Sequence, residues 1–415
     1  MMTNNRLGDV QQVVPMKRMP AKLGKISDGF MVAYTMPAVK GGETVATGML
    51  FVPEGDAPAG GWPLLVYGHD TEGTTHEAAP SAYIQAEPAK DLPHSNPARW
   101  AVPTDLVSFG QPAGYWRCDH QIAEMVKASE DGMVVFCPDY EGMSDPKLGA
   151  PDTGHPYFQA ASMGRSMAFG ALAAKRHLGD KLSGKWAASG FSEGGFACIA
   201  AAEYSSEVAN IEPSMDFCGA VGFSVGVDAY QIKVDQWSEI EMLVARGSEI
   251  PAQGALGQFQ HHAFPLLNGF LASGEDFTPE DVLGERALKI YNSNPRMAHY
   301  NWAALTREDI ASWVLEADEN NCLNYPGAYN SEKFLELCKK LCDTGNGEFP
   351  GKILIVNGGS DSVTRPDIVI NRVNKMIANG NDVSLCLLQN CDHFNVLQNK
   401  QGLAAANGFL RNIFS

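Results

Sequence analysis

The sequence predicts an α/β fold: a mostly parallel, doubly wound sheet with a helical segment inserted late in the sheet. Three observations carry this. Runs such as LLVY and ILIV are apolar without alternation, as parallel strands covered on both faces require. Helix-forming stretches alternate with those runs over most of the chain, the pattern of strand–helix–strand units. The rhythm then stops after about Val227 and resumes at Lys352. A length of 415 residues suits one large α/β domain with an insertion, or two domains.

In chain order, 45–52 (VATGMLFV) and 63–68 (PLLVYG) are expected as strands, and the pair, joined by the loop EGDAPAGGW, as a possible antiparallel edge. Further strands are expected at 133–137, 185–189, 217–223, 352–357 and 383–388. Segments 119–130, 158–178, 194–206, 366–379 and 398–413 are rich in helix formers and free of proline beyond the first turn. Between residues 228 and 349 the helical stretches EIEMLVARG, EDVLGERALKIYN, REDIASWVLEA and SEKFLELCKKL occur without a convincing buried strand. The expected organisation is therefore a core over 1–227, a helical cap over 228–349 and the rest of the core over 350–415. The apolar piece HHAFPLLNGFL at 261–271 fits the cap's own core better than an acyl pocket, with both open.

Composition narrows the function classes. Apolar residues at 45% and charged residues at 19% are ordinary for a soluble globular protein with a large core. Lys and Arg number 31 against 48 Asp and Glu, a net charge of −17 that repels a polyanion, so no nucleic-acid partner is expected. No stretch reaches the roughly 18 apolar residues of a membrane span, so no integral membrane segment is expected. The start MMTNNRLGDVQQVV shows no basic region followed by an apolar one, so no signal peptide is visible and cytoplasmic is the literal expectation. Nine cysteines without a CxxC pair indicate neither a disulfide framework nor a structural zinc site. The near pairs Cys338/Cys342 and Cys386/Cys391 are expected as buried or free thiols.

Gly190-Phe191-Ser192-Glu193-Gly194 matches G-x-S-x-G. A serine hydroxyl is a poor nucleophile until a sharp strand-to-helix turn exposes it to a general base. Small flanking residues let the strand and helix backbones approach, and KWAAS and GGFACIAAAEY supply such a strand and helix. The pattern alone is weak. A second match, Gly222-Phe223-Ser224-Val225-Gly226, also follows a strand-like run. Ser192 is preferred because a second glycine and an alanine-rich helix follow it, whereas VDAYQIKV follows Ser224.

A nucleophilic serine in this setting is followed along the chain by an acid and then a histidine. Asp361 lies just past the strand KILIVN and before a helix that begins at Pro366, which suits an acid that fixes the imidazole tautomer. A turn or helix-cap role is the plainer alternative, and Asp228 is the fallback acid. Of ten histidines only His393 lies beyond Asp361, in the loop after the last strand. Backbone donors for an oxyanion are expected at Glu193, directly after the serine, and in the loop Gly68-His69-Asp70-Thr71 after the strand PLLVYG.

These residues resemble the secretory lipase family of α/β-hydrolases, the fungal lipase A type, most closely over residues 60–205. AGGWPLLVYGHDTEGTTHEAAPSAY is similar to the family's strand, oxyanion loop and following segment. Asp139-Tyr140-Glu141-Gly142-Met143 resembles its D-Y-x-G-L-G, and His155-Pro156-Tyr157 its H-P-Y. GFSEGG resembles its elbow, and the interval from Asp361 to His393 is also similar. The resemblance implies an α/β-hydrolase fold, ester hydrolysis on a small-molecule or lipid ester, a cap between the later strands, and no metal or organic cofactor. The family's habit is secretion. Three departures stand out. The usual His-Gly of the oxyanion loop is His69-Asp70, leaving the second donor open between Asp70 and Thr71. Ala78 replaces a cysteine common there, and Phe191 and Glu193 flank the serine. A serine peptidase or amidase on the same fold is the runner-up, and a non-catalytic binding protein a third possibility.

Overall fold

A computed structural model of the chain describes residues 7–17, 26–85, 132–281, 288, 292 and 332–415. Its strands are β1 (Val10–Pro15), β2 (Ile26–Pro37), β3 (Glu43–Pro53), β4 (Trp62–Gly68), β5 (Val134–Pro138), β6 (Leu182–Phe191), β7 (Asp216–Phe223), β8 (Lys352–Gly358) and β9 (Asp382–Leu388). They form one nine-stranded sheet in the order β1-β2-β3-β5-β4-β6-β7-β8-β9. From β5 to β9 all neighbours are parallel, while β1, β2, β3 and β5 pair antiparallel.

The strand residues alternate between two covered faces, which is why their sequences read as unbroken apolar runs. Leu64 and Val66 of β4 join one buried cluster with Val134 and Phe136 of β5. Leu65 and Tyr67 join another with Val135 and Cys137. The first face is covered by α2 (Ala160–Leu178), α3 (Glu193–Ile211) and α7 (Pro366–Ala378), and the second by α8 (Lys400–Phe414). A short helix, α1 (Pro80–Gln85), follows β4.

All seven expected strands are present. The antiparallel edge is placed differently from the expectation, because 45–52 and 63–68 are not neighbours. β5 lies between them, pairing antiparallel with β3 and parallel with β4, and the edge is built by β1, β2 and β3. The first two strands carry weaker signals: β1 (VQQVVP) lies on the sheet's outer edge without a fully buried residue, and β2 breaks its apolar run with Thr35. The expected helix at 119–130 lies outside the described residues.

Between β7 and β8 the described residues hold no strand. They form α4 (Ala229–Ala245), α5 (Glu249–Ser273) and α6 (Glu332–Leu341). These helices enclose an apolar cluster of their own, with Trp237, Phe259, Leu267, Phe270 and Phe334 buried together. Ala263, Leu266, Leu267 and Phe270 of the 261–271 piece all belong to it. Cys338 and Cys342 are buried free thiols in the same region, and Cys386 and Cys391 are free as well. No described helix is long and apolar enough to cross a membrane.

Candidate active site

Ser192 occupies the turn between β6 and α3 with φ 56° and ψ −111°, a left-handed conformation that costs free energy in a residue with a side chain. The turn is held on both sides. The Ser192 amide donates to the Phe223 carbonyl at 2.8 Å, and the Phe196 amide donates to the Ser192 carbonyl at 3.1 Å. Gly194 is required here because a Cβ on it would overlap the Gly68 carbonyl oxygen of the neighbouring strand end. The G-x-S-x-G spacing thus reflects backbone packed on backbone.

His393 reaches Ser192 from the loop after β9. Its Nε2 lies 3.1 Å from Ser192 Oγ, and its Nδ1 lies 2.9 Å from Asp361 Oδ2. A carboxylate only accepts, so Nδ1 carries the hydrogen and Nε2 presents a lone pair to the serine hydroxyl. The ring is packed between Phe191 and Phe394, at centroid distances of 4.9 and 5.1 Å. Asp361 sits just beyond β8 and accepts from the amides of Val363 and Thr364, each at 2.8 Å, and from Thr364 Oγ1 at 2.6 Å. Burial alone would raise its pKa, but the bonds from His393 and Thr364 more than offset this and hold the carboxyl below its ordinary range.

The structure therefore brings Ser192, His393 and Asp361 together. It does not bring the alternatives into contact with the imidazole ring. Ser224, also at positive φ, is fully buried and donates its hydroxyl to the His393 backbone carbonyl at 3.1 Å. Asp228 caps α4 through the Gln231 amide at 3.2 Å and lies 3.7 Å from Arg372.

The loop after β4 is buried at His69, Asp70 and Thr71. His69 Nδ1 donates to the Asp70 carbonyl at 2.7 Å, and Tyr140 donates its hydroxyl to the His69 carbonyl at 3.0 Å. Burial pushes the His69 pKa down to about 4, so the ring is neutral at pH 7. Glu193 opens α3, where first-turn amides have no carbonyl four residues back and are open to an acceptor. Its side chain turns inward, fully buried, with Oε1 2.8 Å from His155 Nε2. Sequence reasoning missed this Glu193–His155 contact and the Thr364 and Ser224 supports. The H-P-Y motif at 155–157 marked the place without revealing the partner. No group of His, Cys, Asp and Glu able to hold a metal occurs among the described residues.

Sheet order, elbow and late helical segment together define an α/β-hydrolase fold. The chain superposes on the closed state of Candida antarctica lipase A with a TM-score of 0.66 at 14% identity, over 99% of this chain and 84% of that one. A ligand-bound form of the rice cell wall degrading esterase LipA from Xanthomonas oryzae aligns with a TM-score of 0.60 at 15% identity, over 97% of each chain. No protein-family model and no curated protein sequence matches the chain.

Proposed function

We propose that the protein is a serine carboxylic-ester hydrolase, an esterase or lipase that works through an acyl-enzyme on Ser192. The observation that carries this reading is the continuous hydrogen-bonded path from Ser192 Oγ through His393 to Asp361, at 3.1 and 2.9 Å. Ser192 attacks the ester carbonyl carbon while His393 Nε2 takes the hydroxyl proton. The charge that develops on the carbonyl oxygen is met by the Glu193 amide and by an amide of the loop, Asp70 or Thr71. His393 then hands its proton to the departing alkoxide, leaving an acyl-serine. Water, deprotonated by the same imidazole, releases the carboxylic acid and restores Ser192. Asp361 fixes the tautomer and stabilises the imidazolium without taking the proton. Every step uses protein groups and water alone.

On this reading residues 1–227 and 350–415 are the catalytic core and 228–349 is a cap that shapes the substrate's entry. Two hydrogen bonds near the site support it. Gln159 Nε2 donates to the Gly269 carbonyl at 2.7 Å, and Asn268 Nδ2 donates to Thr74 Oγ1 at 3.2 Å, tying α5 to the loops beside the nucleophile.

The test is hydrolysis of p-nitrophenyl butyrate by wild type, Ser192→Ala and Ser224→Ala, with a matched p-nitroanilide alongside. A loss on the order of 10⁴-fold or more in Ser192→Ala alone is expected. The same loss in Ser224→Ala, or full activity in Ser192→Ala, would sink the assignment. An anilide cleaved faster than the ester would move the protein to the amidases.

A further inference from the structure

Behind the nucleophile lies a buried polar assembly that the triad does not use. Glu193 Oε1 is 2.8 Å from His155 Nε2, and both side chains are almost wholly shielded from solvent. His155 Nδ1 is 3.1 Å from the Glu141 carbonyl oxygen, which can only accept, so Nδ1 carries a hydrogen. Burial pushes the His155 pKa down to about 4, so the ring is neutral and its Nε2 is a bare acceptor. The proton in the short contact then belongs to Glu193. Burial drives that carboxyl well above its ordinary range, and Asp70 pushes it the same way against a smaller opposing pull from the Thr71 hydroxyl. The ionisable groups facing it are His155 on the loop before α2, Asp70 on the loop after β4, and the phenols of Tyr140 and Tyr157.

Through His155 the carboxyl is connected to the loop after β4, because Tyr157 packs edge-on against that ring with centroids 6.1 Å apart and Tyr140 donates its hydroxyl to the His69 carbonyl at 3.0 Å. Thr71, on that loop, hydrogen-bonds Tyr157 Oη at 2.8 Å, and Tyr140 stacks on His155 with centroids 5.2 Å apart. The elbow and the loop are also in backbone contact, since Gly194 faces the carbonyls of Gly68 and His69. We propose that the Glu193 side chain is a positioning residue, anchoring His155 and, through Tyr140 and Tyr157 packed on that ring, the loop after β4, so that the loop amide stays in register with the Glu193 amide. This rests on the serine-hydrolase reading above. An ionised or truncated side chain would leave Ser192 and His393 in place but pull the two oxyanion donors out of alignment.

The experiment measures kcat and KM for p-nitrophenyl butyrate, over a pH series, for wild type, Ser192→Ala, Glu193→Ala, Glu193→Gln and Thr71→Val, each checked by circular dichroism. Glu193→Ala is expected to lower kcat by roughly 100-fold with KM held within about threefold, the scale of one lost oxyanion donor. Glu193→Gln, which can still donate to His155, is expected to recover at least about tenfold of that loss and to lack the alkaline fall in kcat expected of wild type. A folded Glu193→Ala within about threefold of wild-type kcat, or a loss confined to KM, overturns the proposal. So does a folded Glu193→Gln as slow as the alanine variant. If Glu193→Ala does not fold, Thr71→Val decides: a fall in kcat of about tenfold supports the link, and an unchanged kcat overturns it. A fully active Ser192→Ala is a separate failure, that of the serine reading, and takes the proposal with it.

Discussion

The Ser224 hydroxyl donates to the backbone carbonyl of His393 at 3.1 Å, so the second G-x-S-x-G match supports the loop that brings His393 to the first. Ser224 is fully buried, and its amide donates to the Val356 carbonyl of β8 at 2.8 Å. Removing the hydroxyl leaves a buried carbonyl oxygen without this donor, a cost of about 1–3 kcal/mol. Ser224→Ala should therefore lower the melting temperature by about 1–3 °C and reduce kcat less than about tenfold. A variant as inactive as Ser192→Ala yet fully folded would refute this supporting role.

Asp361 makes two predictions from one set of bonds. In Asp361→Asn the amide oxygen can still accept from the Val363 and Thr364 amides, but the amide nitrogen would face His393 Nδ1 and favour the wrong tautomer. A fall in kcat of about 10³–10⁴-fold at neutral pH is expected. The wild-type carboxyl titrates below its ordinary value, so the folded state binds fewer protons here than the unfolded chain. Its contribution to stability is fully present above the unfolded pKa of about 3.9 and is lost as pH falls through the lower folded value. Denaturant titrations between pH 2 and 6, spanning about two units either side of the unfolded pKa, should show a shallower acid slope in Asp361→Asn. Identical slopes would mean that the bonds do not favour the charged form.

The meeting of Ser192, Asp361 and His393 was legible because the signals are local: a serine between two glycines, an aspartate after an apolar strand, one histidine left beyond it. What escaped depends on contacts distant in sequence. Glu193 reads as a charged residue beside Ser192, yet burial against His155, 38 positions away, turns it inward. Ser224 reads as a rival nucleophile until its bond across 169 positions is seen. The central parallel strands were legible from continuous apolar runs, whereas β1 has no such run because it lies on an edge. The place of β5 between β3 and β4 is a crossover, which no local pattern encodes.

Lys233, on α4, is buried, and its hydrogen bonds go to neutral acceptors among the described residues. Its Nζ donates to Gln236 Oε1 at 2.8 Å and to the Phe259 carbonyl at 3.2 Å, and lies 4.8 Å from the centre of the Phe259 ring. Burial lowers its pKa to about 7, with a smaller opposing effect from Cys338. The unfolded chain titrates near 10.4, so between about pH 7 and 10.4 the unfolded state binds more protons and stability rises with pH. Below the folded value the lysine is charged in both states and that gain is gone. Melting curves from pH 6 to 10 should show this rise in wild type, and Lys233→Met should flatten it. An equal slope in both proteins would place the titration elsewhere.

Arg372 of α7 is the one side chain on the sheet side that reaches both ends of the inserted segment among the described ion pairs. Its Nη2 lies 2.5 Å from Asp343 and 3.7 Å from Asp228, and Nη1 donates to Asn346 at 2.8 Å. The guanidinium is 3% exposed, while Asp228 and Asp343 are 37% and 22% exposed. Removing a buried partner ordinarily costs about 3–5 kcal/mol, but these carboxylates can rehydrate, so about 2 kcal/mol is expected for Arg372→Met. Arg372→Lys should lose nearly as much, because one ammonium cannot imitate a fork directed at two acids and an amide. The sharper reading comes from limited proteolysis. If Arg372 pins both ends of the segment, cleavage within 228–349 should accelerate more than cleavage in 350–415, and kcat/KM should fall with it. Equal acceleration in both regions would mean that the guanidinium supports the whole domain and has no special hold on the cap.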